Sequence, residues 1–530
     1  MALVSITTVR VSIPNLAQNL ALPLIIGTAA LGYCGYVTRI RGNESAFSFE
    51  WPPLSPRLLL LPLLAGFLGA AFVLLTGNRF ISTSGIMLSG LYIGGLIAAA
   101  VLSVLRPHLG VCTLILTLPF ALLLHLNLRG LGQSEILGFV VMNPEIFLIL
   151  VTSLAILVGL WTRREGLVRT RLDIPISIFL LGSLISLFYS PDISLSARVL
   201  FAGTFIPILS YYIIVNGLRT EKELILVVSV ILFSFFLMGS YSLLLFQRDT
   251  PTVELLSGEE RLTHFFLNPG LFTVMLSLAL PIPLRLAASS AVPLRVRFAA
   301  GLLFTILLAS VAFTYVRGAW VGLAVSVGVL LLFSSEVRRL FLRVSPLLLV
   351  AILIWGGVLS QILWARTESL EVFFQSGSWT ERVVFWESAW QMIIHNPLTG
   401  VGPGMFGVYY PEYEVTYLAF AQTTGANAHN LLLNVWAETG LLAALGLTGF
   451  LVGSLWKSYE FLRSTKDPLM KAISLGLLAG LIGYLINASL HGTFLVKYPL
   501  DELSFFSGHT LYMLIILGLI AALTRIGDKA

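Results

Sequence analysis

Charge is what this chain has least of. Asp, Glu, Lys and Arg make up 11% of its 530 residues against 57% hydrophobic residues, and the mean hydropathy is +0.92. A soluble protein carries about a quarter of its residues as charges, so a set of soluble domains is excluded. Cysteine is nearly absent. Cys34 and Cys112 lie in or near apolar runs with no CxxC spacing, and the histidines do not cluster, which points to packing rather than to a disulfide or a metal site. No convincing internal repeat is visible. The charged stretch before the first apolar run is thin and further runs follow at once, which argues against a cleaved signal peptide.

What the chain has in abundance is apolar runs of roughly 17 to 25 residues, each long enough to cross a bilayer as a helix. They fall near 14–35, 58–76, 84–105, 109–128, 137–161, 174–189, 198–216, 222–246, 266–284, 298–315, 318–334, 344–364, 428–455, 470–487 and 510–524. The expectation is an all-α polytopic membrane protein of about 14–15 transmembrane helices. The first run is polar at its start through Asn15, Gln18 and Asn19 and also fits a re-entrant or interfacial helix.

Orientation follows from the basic residues, which concentrate on the cytoplasmic side of membrane proteins. Alternating spans place Arg163, Arg164, Arg169 and Arg171 on one face with Arg285, Arg295, Arg297, Arg338, Arg339, Arg343, Lys457, Arg463, Lys466 and Lys471. By this reading about 22 of the 32 basic residues are cytoplasmic, as is the C-terminus. Topology thus accounts for the net charge of +6, and no nucleic-acid partner is needed.

The other face holds one long loop, 365–427. Its run SGSWTERVVFWESAWQMIIHNPLTGVGPG opens with Ser378 and Glu381 in capping-box spacing and closes with Pro397, Gly400, Gly402 and Gly404. The pattern predicts a helix over 379–395. Val383, Trp386, Trp390 and Ile393 share one face, widened by Phe385 and Ala389, so this helix is expected along the membrane surface or over the bundle mouth. Arg382 near its start reads either as a surface salt bridge with Glu381 or Glu387 or as an anion ligand. Around it the loop carries Glu368, Glu371, Glu412 and Glu414 against Arg366 and Arg382, so placed arginines rather than a general basic surface would attract an anion.

Three more arginines belong to this side: Arg198, Arg261 in EERLTHFFLNPG, and Arg317 in TYVRGAW. Arg317 sits at a tight hinge between two spans, where a guanidinium is expected to face the bundle interior or snorkel. An interfacial anchor beside Trp320 is the plainer reading.

The stretch NAHNLLLNVWAETG, 427–440, then opens the next span. Asn427 is the expected N-cap, with His429 in the first turn at the outer mouth. Asn430, Asn434 and Glu438 recur every four positions as a polar stripe facing other helices. Glu438 is roughly 13 Å deeper than His429 and reads as a carboxyl holding the helix in place. An imidazole titrating near neutrality can take a proton, and guanidinium groups in a partly dry mouth can hold phosphate oxygens. The residue types suit transfer from a lipid phosphate or pyrophosphate.

The YVRGAW hairpin, the TERVVFWESAW…HNPLTGVGPGMF helix and AHNLLLNVWAETGLLAALG, in that order over roughly 260–455, resemble the O-antigen ligase and polymerase superfamily. The resemblance implies a largely helical, GT-C-like membrane transferase that needs neither nucleotide nor metal. It implies an undecaprenyl-pyrophosphate-linked glycan as donor, and as acceptor lipid A-core, another glycan or a protein hydroxyl, with the site on the external or periplasmic face of a bacterial plasma membrane. Carried over by position, it assigns Arg317 and Arg382 to the pyrophosphate and His429 to acceptor activation. Arg261, Asn430, Trp386 and Trp390 become candidate substrate contacts, and Asn434 and Glu438 structural polar groups. The chain divides accordingly into helices 1–257, a catalytic region 258–455 including the loop 365–427, and helices 456–530. It departs from the family in having more than the usual number of spans, and in NPG at 268–270 where many relatives carry a second asparagine.

Ligase, polymerase and protein O-glycosylation share the donor and differ in the acceptor. The expectation places the O-antigen ligase first. A transporter of lipid-linked glycan or of a small anion is the alternative outside enzymes, kept open by MNPEIF at 142–147 and by Asn216, Glu438 and Asn487.

Overall fold

A computed structural model describes residues 95–118, 144–163, 166–246, 253–256, 259–262, 269–314, 316–346, 377–414, 427–491 and 508–527. The expected spans 14–35 and 58–76, most of 344–364, residues 84–94, 119–128, 137–143 and 266–268 of four others, and Cys34, Arg164, Arg366, Glu368 and Glu371 lie outside these residues. The described parts of the apolar runs are helices. They are α1 (Gly95–Leu105), α2 (Pro107–Thr117), α3 (Pro144–Arg163), α4 (Asp173–Phe188), α5 (Ile193–Gly217) and α6 (Glu221–Phe246). After them come a hairpin of β1 (Val253–Leu256) and β2 (Glu259–Leu262), α7 (Pro269–Ala279), α8 (Pro281–Ala288), α9 (Leu294–Phe313), α10 (Arg317–Phe333) and α11 (Ser335–Pro346). The last are α12 (Gly377–His395), α13 (Phe406–Tyr413), α14 (Leu431–Ser464), α15 (Pro468–His491) and α16 (Gly508–Gly527).

The protein is an all-α polytopic membrane protein. Among the described residues eight spans are long and apolar enough to cross a bilayer, with three shorter apolar helices beside them. The hairpin is a small exception, and it pairs Arg261 with Glu254 in antiparallel register. α5 contains one wide π turn at Phe201–Phe205, where Pro207 has no amide to give to the preceding turn.

Without a hydrophobic drive inside a bilayer, helices associate through close van der Waals contact at small residues. Gly182 of α4 lies on the Ala443 backbone of α14, and Gly446 of α14 on the backbone of Phe179. On the far side of α14, Gly322 of α10 lies against Gly483 of α15, and Ser326 Oγ donates to the Ala479 carbonyl at 2.9 Å. Asn487 of α15 donates to Ser277 Oγ of α7 at 3.0 Å.

These contacts fix which ends lie together. Residues 322 and 326 meet 483 and 479, so α10 and α15 run antiparallel; the same reasoning sets α15 against α7, and α4 against α14, where Ser186 meets Glu438 and Gly446 meets Phe179. α14 and α15 form a hairpin through residues 465–467. The starts of α7, α10 and α14 therefore share one face with the end of α4. The opposite face gathers the basic connections, with Arg285 bonded to Glu336 at 2.8 Å where α10 turns through 117° into α11.

Candidate functional site

α14 opens the site, and it is not a simple helix. Gly440 has φ 77 and ψ 176, which breaks the helix. Its backbone groups are then satisfied from outside. Leu441 N–H donates to the Pro397 carbonyl at 3.0 Å, Val401 N–H to Ala437 O at 2.9 Å, and Gly402 N–H to Glu438 O at 2.9 Å. Trp436 Nε1 donates to the same Pro397 carbonyl at 3.1 Å, and Ser186 Oγ to Glu438 O at 2.8 Å. The glycine-rich end of the long loop is thus threaded into the bundle rather than laid over it.

Gly400, Gly402 and Gly404 all have positive φ, and a Cβ at Gly400 would lie 2.5 Å from the Glu438 backbone. The Glu438 carboxyl is 3% exposed. Its oxygens accept from the Gly404 amide at 3.1 Å and the Phe406 amide at 3.2 Å, so it holds the start of α13, and the Asn434 side chain bonds to it as well. Asn434 Oδ1 also accepts from the Ala428 amide at 3.0 Å. From α5, Ser196 Oγ reaches the Pro403 carbonyl at 2.7 Å and the Ser190 hydroxyl at 2.6 Å.

The start of α14 differs from expectation. Asn430, not Asn427, is the N-cap: its side-chain oxygen accepts from the Leu432 and Leu433 amides, both at 3.1 Å. That leaves the carboxamide nitrogen of Asn430 for any contact with substrate. Asn427 instead accepts from the His429 amide at 2.8 Å, the local turn that asparagine favours. His429 accordingly stands before the helix rather than in its first turn, with φ 46. Among the described residues it is the one non-glycine in the left-handed region, a conformation that costs about 1–2 kcal/mol. Its ring stacks on Phe385 of α12, centroids 5.3 Å apart and planes at 25°, and Phe385 in turn meets Tyr410 of α13 at 5.3 Å.

α12 starts two residues earlier than the expected 379. The side it buries against α14 and α13 carries Val384, Ser388, Ala389, Met392 and Ile393, of which Ala389 and Ile393 belong to the expected apolar face. Val383, Phe385 and Trp386 are half-buried. Trp390 is 49% exposed and meets Trp436 edge-on at 6.1 Å. Arg382 is half-buried, one turn, about 4.5 Å of rise, before Phe385. Arg317 is the first residue of α10 and is exposed, while Gly318 and Ala319 take the buried positions beside it. Helix polarity puts His429, Arg382, Arg317 and Arg261 on one face of the bundle, together with the start of α5 that carries Arg198.

Residues 302–448 match the family model described as O-antigen ligase. This region is similar to the O-antigen ligase family. The teichuronic acid biosynthesis protein TuaE of Bacillus subtilis (strain 168) is similar, 24% identical over 174 residues. The match covers 32% of this chain and 35% of that protein, so it spans about a third of the relative's length. The O-antigen ligase region contains Arg317, Arg382, His429 and Glu438, and with them the loop docked at Gly440. Phe385 as a ring partner, the serines of α4 and α5, and the Pro397 carbonyl were not readable as site components, since their roles depend on which helix lies opposite.

Proposed function

We propose that the protein is a metal-independent glycosyltransferase that moves a glycan from undecaprenyl pyrophosphate to an acceptor hydroxyl on the external or periplasmic face of a bacterial plasma membrane, with lipid A-core as acceptor. The basic connections then lie in the cytoplasm with the C-terminus, and residues 258–455 form the catalytic region. The observation that carries the reading is the placement of His429: held at positive φ before α14, and stacked on the helix that bears Arg382. Strained backbone of this kind persists where the surroundings over-determine it, and it clusters at working sites.

His429 takes the proton of the acceptor hydroxyl. The freed oxygen attacks the anomeric carbon as the bond from that carbon to the pyrophosphate oxygen breaks, so the glycan inverts in one displacement. Arg317 and Arg382 balance the charge growing on the departing undecaprenyl pyrophosphate, with Arg261 approaching from the hairpin. Trp386, Trp390 and the amide of Asn430 line the approach of the sugar. Asn434 and Glu438 hold the scaffold.

A second reading, glycan polymerisation, draws support from the relative named for teichuronic acid biosynthesis rather than for an O-antigen. The deciding experiment incubates purified protein with an undecaprenyl-pyrophosphate oligosaccharide, with lipid A-core and without added acceptor, beside His429→Ala and Arg382→Ala. Transfer to lipid A-core that both substitutions abolish supports the ligase; longer glycans without acceptor make it a polymerase. Donor that is never consumed, or variants equal to the parent, sinks the transferase reading in favour of transport.

A further inference from the structure

On the basic face, away from His429, a cavity of about 360 Å³ opens between α1, α2, α3, α5 and the start of α6. Pockets of a few hundred Å³ are on the scale that holds small ligands and headgroups. Much of its wall is apolar, made by Leu105, Pro107, Ala155, Ile156 and Leu160. Its mouth is ionic.

Arg106 and Arg219 line the mouth with His108 and Glu223. Glu223 is already engaged: His108 Nδ1 lies 3.3 Å from one carboxylate oxygen, and the amides of Arg219 and Thr220 donate to the other at 2.6 and 3.2 Å. Arg525 of α16 adds a third guanidinium nearby, donating to the Leu218 carbonyl. The balance is cationic. α2 also begins here, with Pro107 in its first turn and no side chain capping its amides, so the positive end of its dipole is presented to the same space.

Two glycines keep the cavity open. Nothing among the described residues lies within 4 Å of a Cβ placed on Gly159, and on Gly217 the nearest atoms are at ordinary contact distance, 3.5 Å from Ile156 and 3.7 Å from Pro107. The outer side of α3 next to it bears exposed Leu154, Leu157, Val158 and Trp161. Such a surface suits acyl chains, and a tryptophan at its end suits the level where headgroups begin. An arginine-lined mouth above a greasy wall at the interfacial level fits one chemistry: a phosphodiester headgroup whose chains run down the outside of α3.

We infer that this cavity is a cytoplasmic-face binding site for the phosphate headgroup of an anionic phospholipid. It is independent of the transferase site and does not depend on that reading.

The test measures the shift in Tm of the purified full-length protein when phosphatidylglycerol is added to a phosphatidylcholine and detergent background, with glycerol 3-phosphate and inorganic phosphate as separate arms. Gly159→Leu fills the space at a position with room for the side chain. Arg106→Gln and Arg219→Gln remove the cations, and Arg338→Gln removes an equal charge elsewhere on the same face. The expected result is stabilisation by phosphatidylglycerol but not by the soluble phosphates. That stabilisation falls by at least half in Gly159→Leu and in the two cavity arginine variants, and is retained in Arg338→Gln and His429→Ala. An equal loss in Arg338→Gln, or no loss in Gly159→Leu, overturns the site in favour of general surface attraction. Stabilisation by the soluble phosphates alone overturns the lipid assignment.

Discussion

The imidazole of His429 lies against the ring of Phe385, 5.3 Å between centroids and 25° between planes. Two segments more than forty positions apart in sequence meet at that contact. The proposed base is therefore oriented by the helix that carries the proposed phosphate ligand Arg382, and a change in one should be felt by the other.

Replacing Phe385 tests the coupling directly. Phe385→Leu removes the flat surface behind the imidazole and is expected to lower kcat about tenfold, equal to roughly 1.4 kcal/mol of transition-state stabilisation, with little change in KM. Phe385→Tyr keeps the ring and should keep most of the rate. Equal kinetics in Phe385→Leu and the parent would show that the stack has no positioning role.

His429 separates stability from activity. At φ 46 any side chain with a Cβ is strained, so His429→Gly should be more stable than His429→Ala by about 1–2 kcal/mol, read as a higher Tm. Both should lose transfer, by on the order of 10²–10⁴-fold. A glycine variant no more stable than the alanine one would mean that the backbone there is relaxed.

Glu438 and Gly440 carry the docked loop. Glu438→Ala strands the Gly404 and Phe406 amides in the interior and should cost on the order of 3 kcal/mol, while Glu438→Gln retains an acceptor and costs less. Gly440→Ala would push a methyl onto the Leu398 carbonyl in a conformation that disfavours it, at about 2–4 kcal/mol. Limited proteolysis near residues 396–405 should accelerate in Glu438→Ala and Gly440→Ala and stay near parental in Glu438→Gln.

A pH-dependent prediction lies on the basic face, where α10 turns into α11. Burial raises the Glu336 carboxyl, but hydrogen bonds from Ser290 and the Arg285 guanidinium outweigh it and hold it below the usual carboxylate range. A depressed folded pKa gives stability that is present above the unfolded value and is lost as pH falls through the folded one. Acidification below about pH 4.5 should therefore weaken the α10–α11 corner, seen as faster hydrogen exchange at residues 335–346, and Glu336→Gln should remove that pH dependence. The Glu336 side chain is 19% exposed and carries one such contact, so the effect is small.

The sequence by itself determined the class of this protein. Apolar runs can meet a bilayer only as helices, because no water is present to satisfy their backbone, and the basic connections distinguish the two faces. The motifs around Arg317, Arg382 and His429 were legible because their residue types are costly where they stand. The tertiary structure alone decided how that chemistry is held. A glycine in a helix sequence does not announce that the helix breaks there, and the break at Gly440 is sustained because the Pro397 carbonyl and the Val401 and Gly402 amides are at hand for the Leu441 amide and the Ala437 and Glu438 carbonyls. Asn427 and Asn430 are equally good caps on paper; the turn that lifts His429 out of the helix gives the cap to Asn430. Which side of α12 packs on the protein was likewise not legible. Periodicity names the stripes of a helix, but which stripe is buried depends on the partner that arrives, here α14 bent around its docked loop.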